Sequence, residues 1–307
     1  LDAQHKPVLV GPVVHYLLGT GGRRFIDCTA GGGGHIEELL ERADWQIEVL
    51  AVEVDPDAVR HLRERFAGRS GVQVVEGDYR ELGEVAGRAR FQPVDGILAD
   101  VGQSFDQLLT SERGFSYRLD GPLDMRYSPG RGVPASEIVN RWSKDQLSAL
   151  FWEIGEERQA GRLADLILRS RPLTTTGELA NVVGRVVRGP FRVKTLSRVF
   201  MALRVAANDE LEAIRALASQ ALALLRPGGR FVTIAYDSHQ DRIFKEAFRR
   251  LSRPAGKAEA VSDSAMNADW ELTILTPHVI RPDRAEMAAN PQARSARMRV
   301  VEKLRRA

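Results

Sequence analysis

The chain predicts an α/β fold: a mostly parallel sheet interrupted by an all-helical insertion. Apolar runs of strand length recur at Phe25–Ile26, Val49–Val54, Val72–Val75, Val94–Asp100 and Arg230–Tyr236, with helix-like segments between them. From about Leu108 to Val199 that rhythm stops, and polar loops followed by helical spacing replace it. The first unit, Arg24 to Asp55, reads strand, glycine turn, helix, strand, acid, which is the form of a nucleoside-cofactor site. The sheet domain is therefore assigned to residues 1–107 and 200–307, and a helical substrate-recognition domain to 108–199.

In that first unit, Phe25 and Ile26 end a buried strand, Asp27 to Gly34 form a side-chain-poor turn, and His35 to about Ala43 form a helix. Val49 to Val54 make the second strand and carry Glu53. Glycines permit positive φ and close backbone approach, and an acid at the end of the second strand can accept from ribose hydroxyls. Gly31 to Gly34 do not follow the dinucleotide spacing, and no Walker-type Lys-Ser/Thr follows them. A glycine run alone equally describes a flexible turn. The acid about 20 residues later favours the cofactor reading.

Before this unit, Val13 to Leu18 suggest a short helix, and His5 is either a site residue or a solvated cap. After it, Pro56 suits a first helical turn, with helical spacing from Ala58 to Phe66. The third strand leads into Glu76-Gly-Asp-Tyr79, a group that borders an adenine or makes an ordinary turn. The fourth ends on Asp100, at the edge where open α/β sheets bind ligands. Within the insertion, Pro134–Arg141, Lys144–Ile154 and Glu157–Ser170 read as helices, and Thr174-Thr-Thr176 caps another beginning near Glu178. Arg185, Arg188, Arg192, Lys194, Arg198 and Arg204 then follow without an intervening acid, as a solvated helix face or a phosphate contact. A helix from Asn208 to Leu225, the strand to Tyr236, a loop Asp237–Arg242, a helix from Ile243 and a late strand Glu271–Ile280 resume the α/β pattern. Asn290 to Arg299 reads as a polar, arginine-rich tail.

Composition excludes several classes. Apolar content of 43% and charged content of 28% over 307 residues are those of a globular protein, and no run of about 18 apolar residues predicts a membrane span. No basic segment followed by an apolar core opens the chain, and the cytoplasm is the expected compartment. The single Cys28 excludes an intramolecular disulfide and a cysteine-cluster metal site, and no metal is expected. A net charge of +3 leaves RNA binding to local basic patches.

His35-Ile-Glu37 imitates half of a zinc-deaminase signature, but Pro-Cys-x-x-Cys is absent. Ser238 and His239 are sequence neighbours, and no Gly-x-Ser-x-Gly elbow exists. Hydride transfer stays open. The stronger reading is S-adenosylmethionine (SAM) binding. The glycine turn, Glu53, Gly77-Asp-Tyr79, Asp100 and the Leu-Leu-Arg-Pro-Gly-Gly-Arg230 turn occur in the order expected of a Rossmann-like class I methyltransferase.

More specific pieces run nearly end to end: His5-x-Pro-Val-Leu, Asp27-x-Thr-x-Gly-x-Gly-Gly-His35, Arg113-Gly-Phe-Ser and Gly121-Pro-Leu-Asp-Met-Arg126. Gly155-Glu-Glu-Arg158, Phe200-x-Ala-Leu-Arg-Val205, Asn208-Asp-Glu-Leu211 and Asn290-Pro-x-x-Arg-Ser-Ala-x-x-Arg299 complete the set. On these the chain resembles the ribosomal small-subunit RNA methyltransferase H family, which methylates N4 of a decoding-site cytidine in 16S rRNA. The resemblance implies SAM contacts at Gly33, Gly34, His35, Glu53, Tyr79, Asp100 and Gln107. It implies in-line transfer to an exocyclic amine, in which alignment and polarisation do most of the work. Asp100 is the first candidate to accept a hydrogen bond from N4, and Asp237 is a second catalytic candidate.

Departures from the family cluster at the acceptor end. Asp-Leu-Gly-Val-Ser-Ser is here Asp100-Val-Gly-Gln-Ser-Phe105, and Phe-His-Ser-Leu-Glu-Asp-Arg is Tyr236-Asp-Ser-His-Gln-Asp-Arg242. The family's His-Pro-Ala-x-x-Thr form is replaced by Phe191-Arg-Val-Lys-Thr-Leu-Ser197. Gln103, Ser104, Phe105, Tyr236, Ser238, His239 and Arg204 are accordingly the expected acceptor contacts. The expected partner is small-subunit RNA or, in a retargeted paralogue, another RNA site or a nucleoside-like small molecule. A SAM-binding protein without transfer activity is the remaining alternative, and a homodimer is among the expected assemblies.

Overall fold

The computed structural model describes residues 7–187, 189–252 and 271–304. His5 and Arg188 lie outside the described residues. The chain divides into two compact units, Leu1–Gly102 with Leu211–Ala307, and Gln103–Glu210.

The first unit holds one seven-stranded sheet: β1 (Arg24–Asp27), β2 (Glu48–Glu53), β3 (Val72–Glu76), β4 (Val94–Asp100), β5 (Leu225–Ala235), β6 (Leu272–Ile274) and β7 (Arg297–Lys303), in the order β3-β2-β1-β4-β5-β7-β6. Strands β1 to β5 pair in parallel, whereas β7 runs antiparallel to both β5 and β6. This is the class I methyltransferase sheet. Asp27 lies opposite Ala51 and Leu98, and Glu53 opposite Glu76, so the strands end together at one carboxyl edge.

Strand periodicity divides the core between the two faces. Leu50, Val52 and Phe231 face one layer with α4 (Leu82–Arg88), α11 (Glu210–Leu224) and α12 (Ser238–Leu251). Val49, Ala51, Val232 and Ile234 face the other, with α1 (Val10–Leu18), α2 (Gly34–Arg42) and α3 (Pro56–Arg65). On the first face Phe231, Phe244 and Phe248 form an aromatic trio. Phe231 stands edge-on to both others, at 6.0 and 5.8 Å between centroids.

The second unit carries α5 (Phe105–Leu109), α6 (Ala135–Arg141), α7 (Lys144–Glu153), α8 (Ala160–Arg169), α9 (Thr176–Val186) and α10 (Phe191–Asn208) around its own core of Leu123, Ile138, Phe151, Leu163, Leu179 and Phe200. Helices α5, α7 and α9 each begin with a capping box, at Ser104/Gln107, Ser143/Gln146 and Thr175/Glu178. The Gly-Pro-Leu-Asp-Met-Arg segment is a structural loop of this unit. A Cβ at Gly121 would stand 2.0 Å from the Ser111 carbonyl oxygen. Asn208 Nδ2 donates to the Met125 carbonyl at 2.7 Å, and the Tyr127 N–H donates to Asn208 Oδ1 at 2.8 Å.

Several expected boundaries move. The helical unit spans Gln103–Glu210 rather than 108–199, because α10 and the Asn208 latch pack into it. The expected Asn208–Leu225 helix is α11, Glu210–Leu224, set off from α10 by Asp209 at a left-handed φ of 48°. The expected loop Asp237–Arg242 is the start of α12, with Asp237 as its N-cap. The late strand is confined to Leu272–Ile274. The arginine-rich tail contains β7, whose Met298, Val300 and Val301 are buried.

Replacing Phe244 by Ala removes one ring of the trio from a fully enclosed position. It is expected to lower the unfolding free energy by about 3–5 kcal/mol in a urea titration. A loss under about 1 kcal/mol would contradict tight packing there.

Candidate active site

The glycine turn follows β1 and is built from within. Asp27 Oδ1 accepts from the Thr29 N–H at 3.1 Å, and Thr29 Oγ1 accepts from the Asp100 N–H at 2.7 Å, tying the ends of β1 and β4 together. Gly33 has φ 82°, and a Cβ on it would lie 2.6 Å from the Phe66 ring, so both conformation and α3 packing require glycine. A Cβ on Gly34 would press on Pro7 at 3.1 Å. Around Gly32, in contrast, a Cβ would meet nothing within 4 Å, so the open side of the turn lies there. Arg65 holds that side by donating to the Gly32 carbonyl while pairing with Glu37. His35 is buried on α2. Its Nε2 lies 2.8 Å from the Val8 carbonyl, which can only accept, so Nε2 carries the proton.

Glu53 closes the turn from β2. Its Oε2 accepts from the Gly31 N–H at 2.8 Å, and its Oε1 accepts from Val54 and Asp55 N–H groups at 2.8 and 2.9 Å. Burial raises its pKa, and these three donors pull it back toward the ionised form. Tyr79 opens the 3-10 turn after β3, next to Asp78, whose side chain caps that turn through the Arg80 N–H.

At the end of β4 and β5 stand Asp100 and Tyr236. The Tyr236 hydroxyl donates to the Asp100 carboxylate, and burial followed by the Asp100 charge raises the phenol well above its ordinary value. Glu286 of α13 (Arg284–Ala289) also faces Tyr236, and its Oε1 accepts from the Leu9 N–H at 2.6 Å. Asp27 is 2% exposed and its pKa is raised to about 6. Burial is the main cause; His35 opposes it, while Asp100 and Glu53 add to it. Asp27, Glu53, Asp100 and Tyr236 thus form one electrostatic cluster. Asp27 and Glu286 were not among the expected site residues: Asp27 was legible as the strand-end acid of the glycine motif, whereas nothing near Glu286 in the sequence signals its position.

The first turn of α12 is organised by Asp237, whose Oδ1 accepts from the N–H groups of His239 and Gln240, each at 2.9 Å. His239 Nδ1 meets Arg242 Nη2 at 2.9 Å, and Ser238 is the first residue of the helix. The Tyr236 N–H donates to Gln240 Oε1 at 3.1 Å.

The remaining expected residues belong to the helical unit. The Ser104 N–H donates to Gln107 Oε1 at 3.0 Å, and the Gln107 N–H donates to Ser104 Oγ, so this pair and Phe105 shape the start of α5. Arg204 is buried and forked onto Glu210, at 2.7 and 3.1 Å, and it also donates to Gln103 Oε1. Tyr127 completes this network by donating to Glu210 Oε1 at 2.9 Å.

The groups at the sheet edge suit SAM. The turn is open at Gly32, and Glu53 retains lone-pair capacity for a ribose hydroxyl beyond its three backbone donors. The buried acids give the edge a negative potential that matches a sulfonium and an ammonium group. Among the described residues no group of His, Cys, Asp and Glu is arranged to hold a metal ion, and no helix is long and apolar enough to cross a membrane.

Comparison with known proteins gives the family. The chain is 44% identical to Ribosomal RNA small subunit methyltransferase H of Thermomicrobium roseum, over 99% of this chain and 95% of the relative. The proteins of the same name from Dehalococcoides mccartyi strain 195 and Coprothermobacter proteolyticus are 38% and 37% identical. Both matches cover 98% of this chain, and they span 86% and 96% of those relatives. A profile of the MraW methylase family matches residues 2–304. The chain, a SAM-dependent methyltransferase by its sheet, its cofactor edge and its relatives, belongs to the MraW methylase family.

Proposed function

We propose that this chain transfers the methyl group of SAM to the exocyclic N4 amine of a cytidine in small-subunit 16S rRNA. The observation that carries the proposal is the Asp100–Tyr236 pair, which ends β4 and β5 on the same carboxyl edge as Asp27 and Glu53. The near-full-length relatives named for small-subunit rRNA methylation support the substrate class.

SAM supplies an electrophilic methyl group on a sulfonium centre. Gly33, Gly34 and His35 would wall its methionine end, Glu53 would accept from its ribose, and Tyr79 would pack by its adenine. Asp100 would accept a hydrogen bond from the cytosine amine, orienting its lone pair, and would take the proton that N4 loses as the N–C bond forms and the C–S bond breaks, with S-adenosylhomocysteine leaving. Tyr236 holds the Asp100 carboxylate in place through its hydroxyl. The base leaves its stack to reach this edge. Asp237 is read as the group that fixes the first turn of α12, because one of its oxygens already accepts from two backbone N–H groups. Ser238 and His239 are assigned to acceptor contact.

Incubation of methyl-labelled SAM with 30S particles, protein-free 16S rRNA and a nucleoside panel is expected to place label on N4 of an rRNA cytidine. Label confined to free nucleosides would overturn the rRNA assignment. Asp100→Ala is expected to cut transfer at least about 100-fold, and full retained activity would remove Asp100 from the mechanism.

Tyr236→Phe removes the hydroxyl that donates to Asp100 but keeps the ring, in the form usual for the family. With that positioning hydrogen bond gone, kcat is expected to fall roughly tenfold while SAM affinity is kept. An unchanged kcat would exclude the positioning role.

Asp27→Asn tests the electrostatic edge. A folded pKa of about 6, above the ordinary carboxylate value, means the folded state binds more protons, so Asp27 costs stability once pH rises through about 6. The Asn variant is expected to be more stable by about 2 kcal/mol at pH 8, with the gain fading by about pH 4, and to bind SAM more weakly. A pH-independent difference would contradict the assignment.

A further inference from the structure

We propose that the first turn of α10, together with the carboxyl end of α9, is a docking surface for single-stranded RNA. The proposal rests on the reading of this chain as an RNA methyltransferase and adds where the helical unit grips the substrate.

The surface combines exposed apolar side chains with cations that form no ion pair among the described residues. Phe191 is 68% exposed and Val193 54% exposed, in the first turn of an 18-residue helix. Arg192 and Lys194 alternate with them and are exposed, as is Arg185 in the last turn of α9. Arg192 lies over Gly184, the residue before Arg185: a Cβ there would sit 3.0 Å from its Nε. Arg185, Arg192 and Lys194 form no ion pair among the described residues, whereas Arg198, one turn on, is paired with Glu157 at 3.6 Å. No acid occurs between Glu178 and Asp209. The nearby acids have other work: Asp120 accepts from the Gly177 N–H, and Glu178 from the Thr174 and Thr175 N–H groups.

The face continues along α10. Ser197 Oγ donates to the Val193 carbonyl and lies 3.3 Å from the Tyr117 hydroxyl. Arg118 stands over the Tyr117 ring at 5.9 Å. Aromatic rings interleaved with unpaired cations are what an unstacked RNA strand requires: π-faces for bases and positive charge for phosphates. The α10 amino terminus points its N–H groups at the same turn, with no side-chain cap and no acid among its first residues. A protein partner would cover Phe191 and Val193 at the cost of burying three cations, whereas a phosphate backbone neutralises them.

The test uses the full chain and a fluorescein-labelled 16S rRNA fragment carrying the decoding site, titrated at several salt concentrations. Arg192→Gln with Lys194→Gln is expected to weaken binding about tenfold near physiological salt and to reduce the salt slope by about 1.4, from two lost phosphate contacts. Phe191→Ala is expected to weaken binding about 5- to 100-fold with the slope unchanged, as for a lost stacking platform. SAM affinity and melting temperature of all variants should match the wild type, since the changed side chains are exposed. A wild type that neither binds nor methylates the RNA overturns the underlying reading and the surface with it. A wild type that methylates the RNA, beside variants with unchanged affinity and slope, overturns the surface alone. Unchanged RNA affinity together with lost binding to 30S protein assigns the face to a protein partner, which also overturns the proposal.

Discussion

Asp27 and Glu53 end neighbouring strands and bury their carboxylates against each other, with Asp100 adding a third charge from the far side of β1. Such a placement opposes folding unless nearby dipoles share the charge. The glycine turn does this for Glu53 by aiming three backbone N–H groups at it, and Thr29 and Tyr236 do it between β1, β4 and β5. The apolar strands on both sides supply the stability against which that cost is set. The edge thereby presents buried acids to a cation such as the sulfonium of SAM.

The motifs that identify the family and the residues that differ from it have different physical duties. Gly121 to Arg126 is held by steric fit at Gly121 and by Asn208, and it anchors a loop inside the helical unit. Glu157 is buried under α10, accepting from Thr195 at 3.0 Å. Arg204 and Glu210 form a buried ion pair, which is destabilising to break from one side. Changes at such positions would cost the fold. Gln103, Phe105 and the first turn of α10 are freer to vary, because they sit at a helix start or on an exposed turn.

Strands β1 to β4 were legible because runs such as Val49 to Val52 are buried on both faces and read as continuous apolar segments. Strand β7 was hidden by its arginines. Arg297 and Arg299 alternate with buried Met298 and Val300, and Arg299 pairs with Asp241 at 2.6 Å, so an inward and outward alternation looked like a polar tail. The start of α12 was missed for a similar reason: Asp237 is a good cap, but Ser-His-Gln-Asp also has loop chemistry. Glu53 and Asp100 followed from their place at strand ends. Glu286 depends on packing across a long sequence separation, and no local pattern carries that.

Parallel pairing of β4 with β5 also bears on how the chain acquires its structure. The two strands are separated by the helical unit and α11, so their contact closes a loop of about 125 residues, 101–224. Closing a flexible loop that long is entropically slow. The helical unit has its own core and many contacts within short stretches of chain, which favour early assembly. Once formed, it replaces a long floppy tether by a compact body, and the sheet then completes itself across a much smaller conformational search. An early-folding insertion would thereby shorten the search that brings together the strands ending at Asp100 and Tyr236.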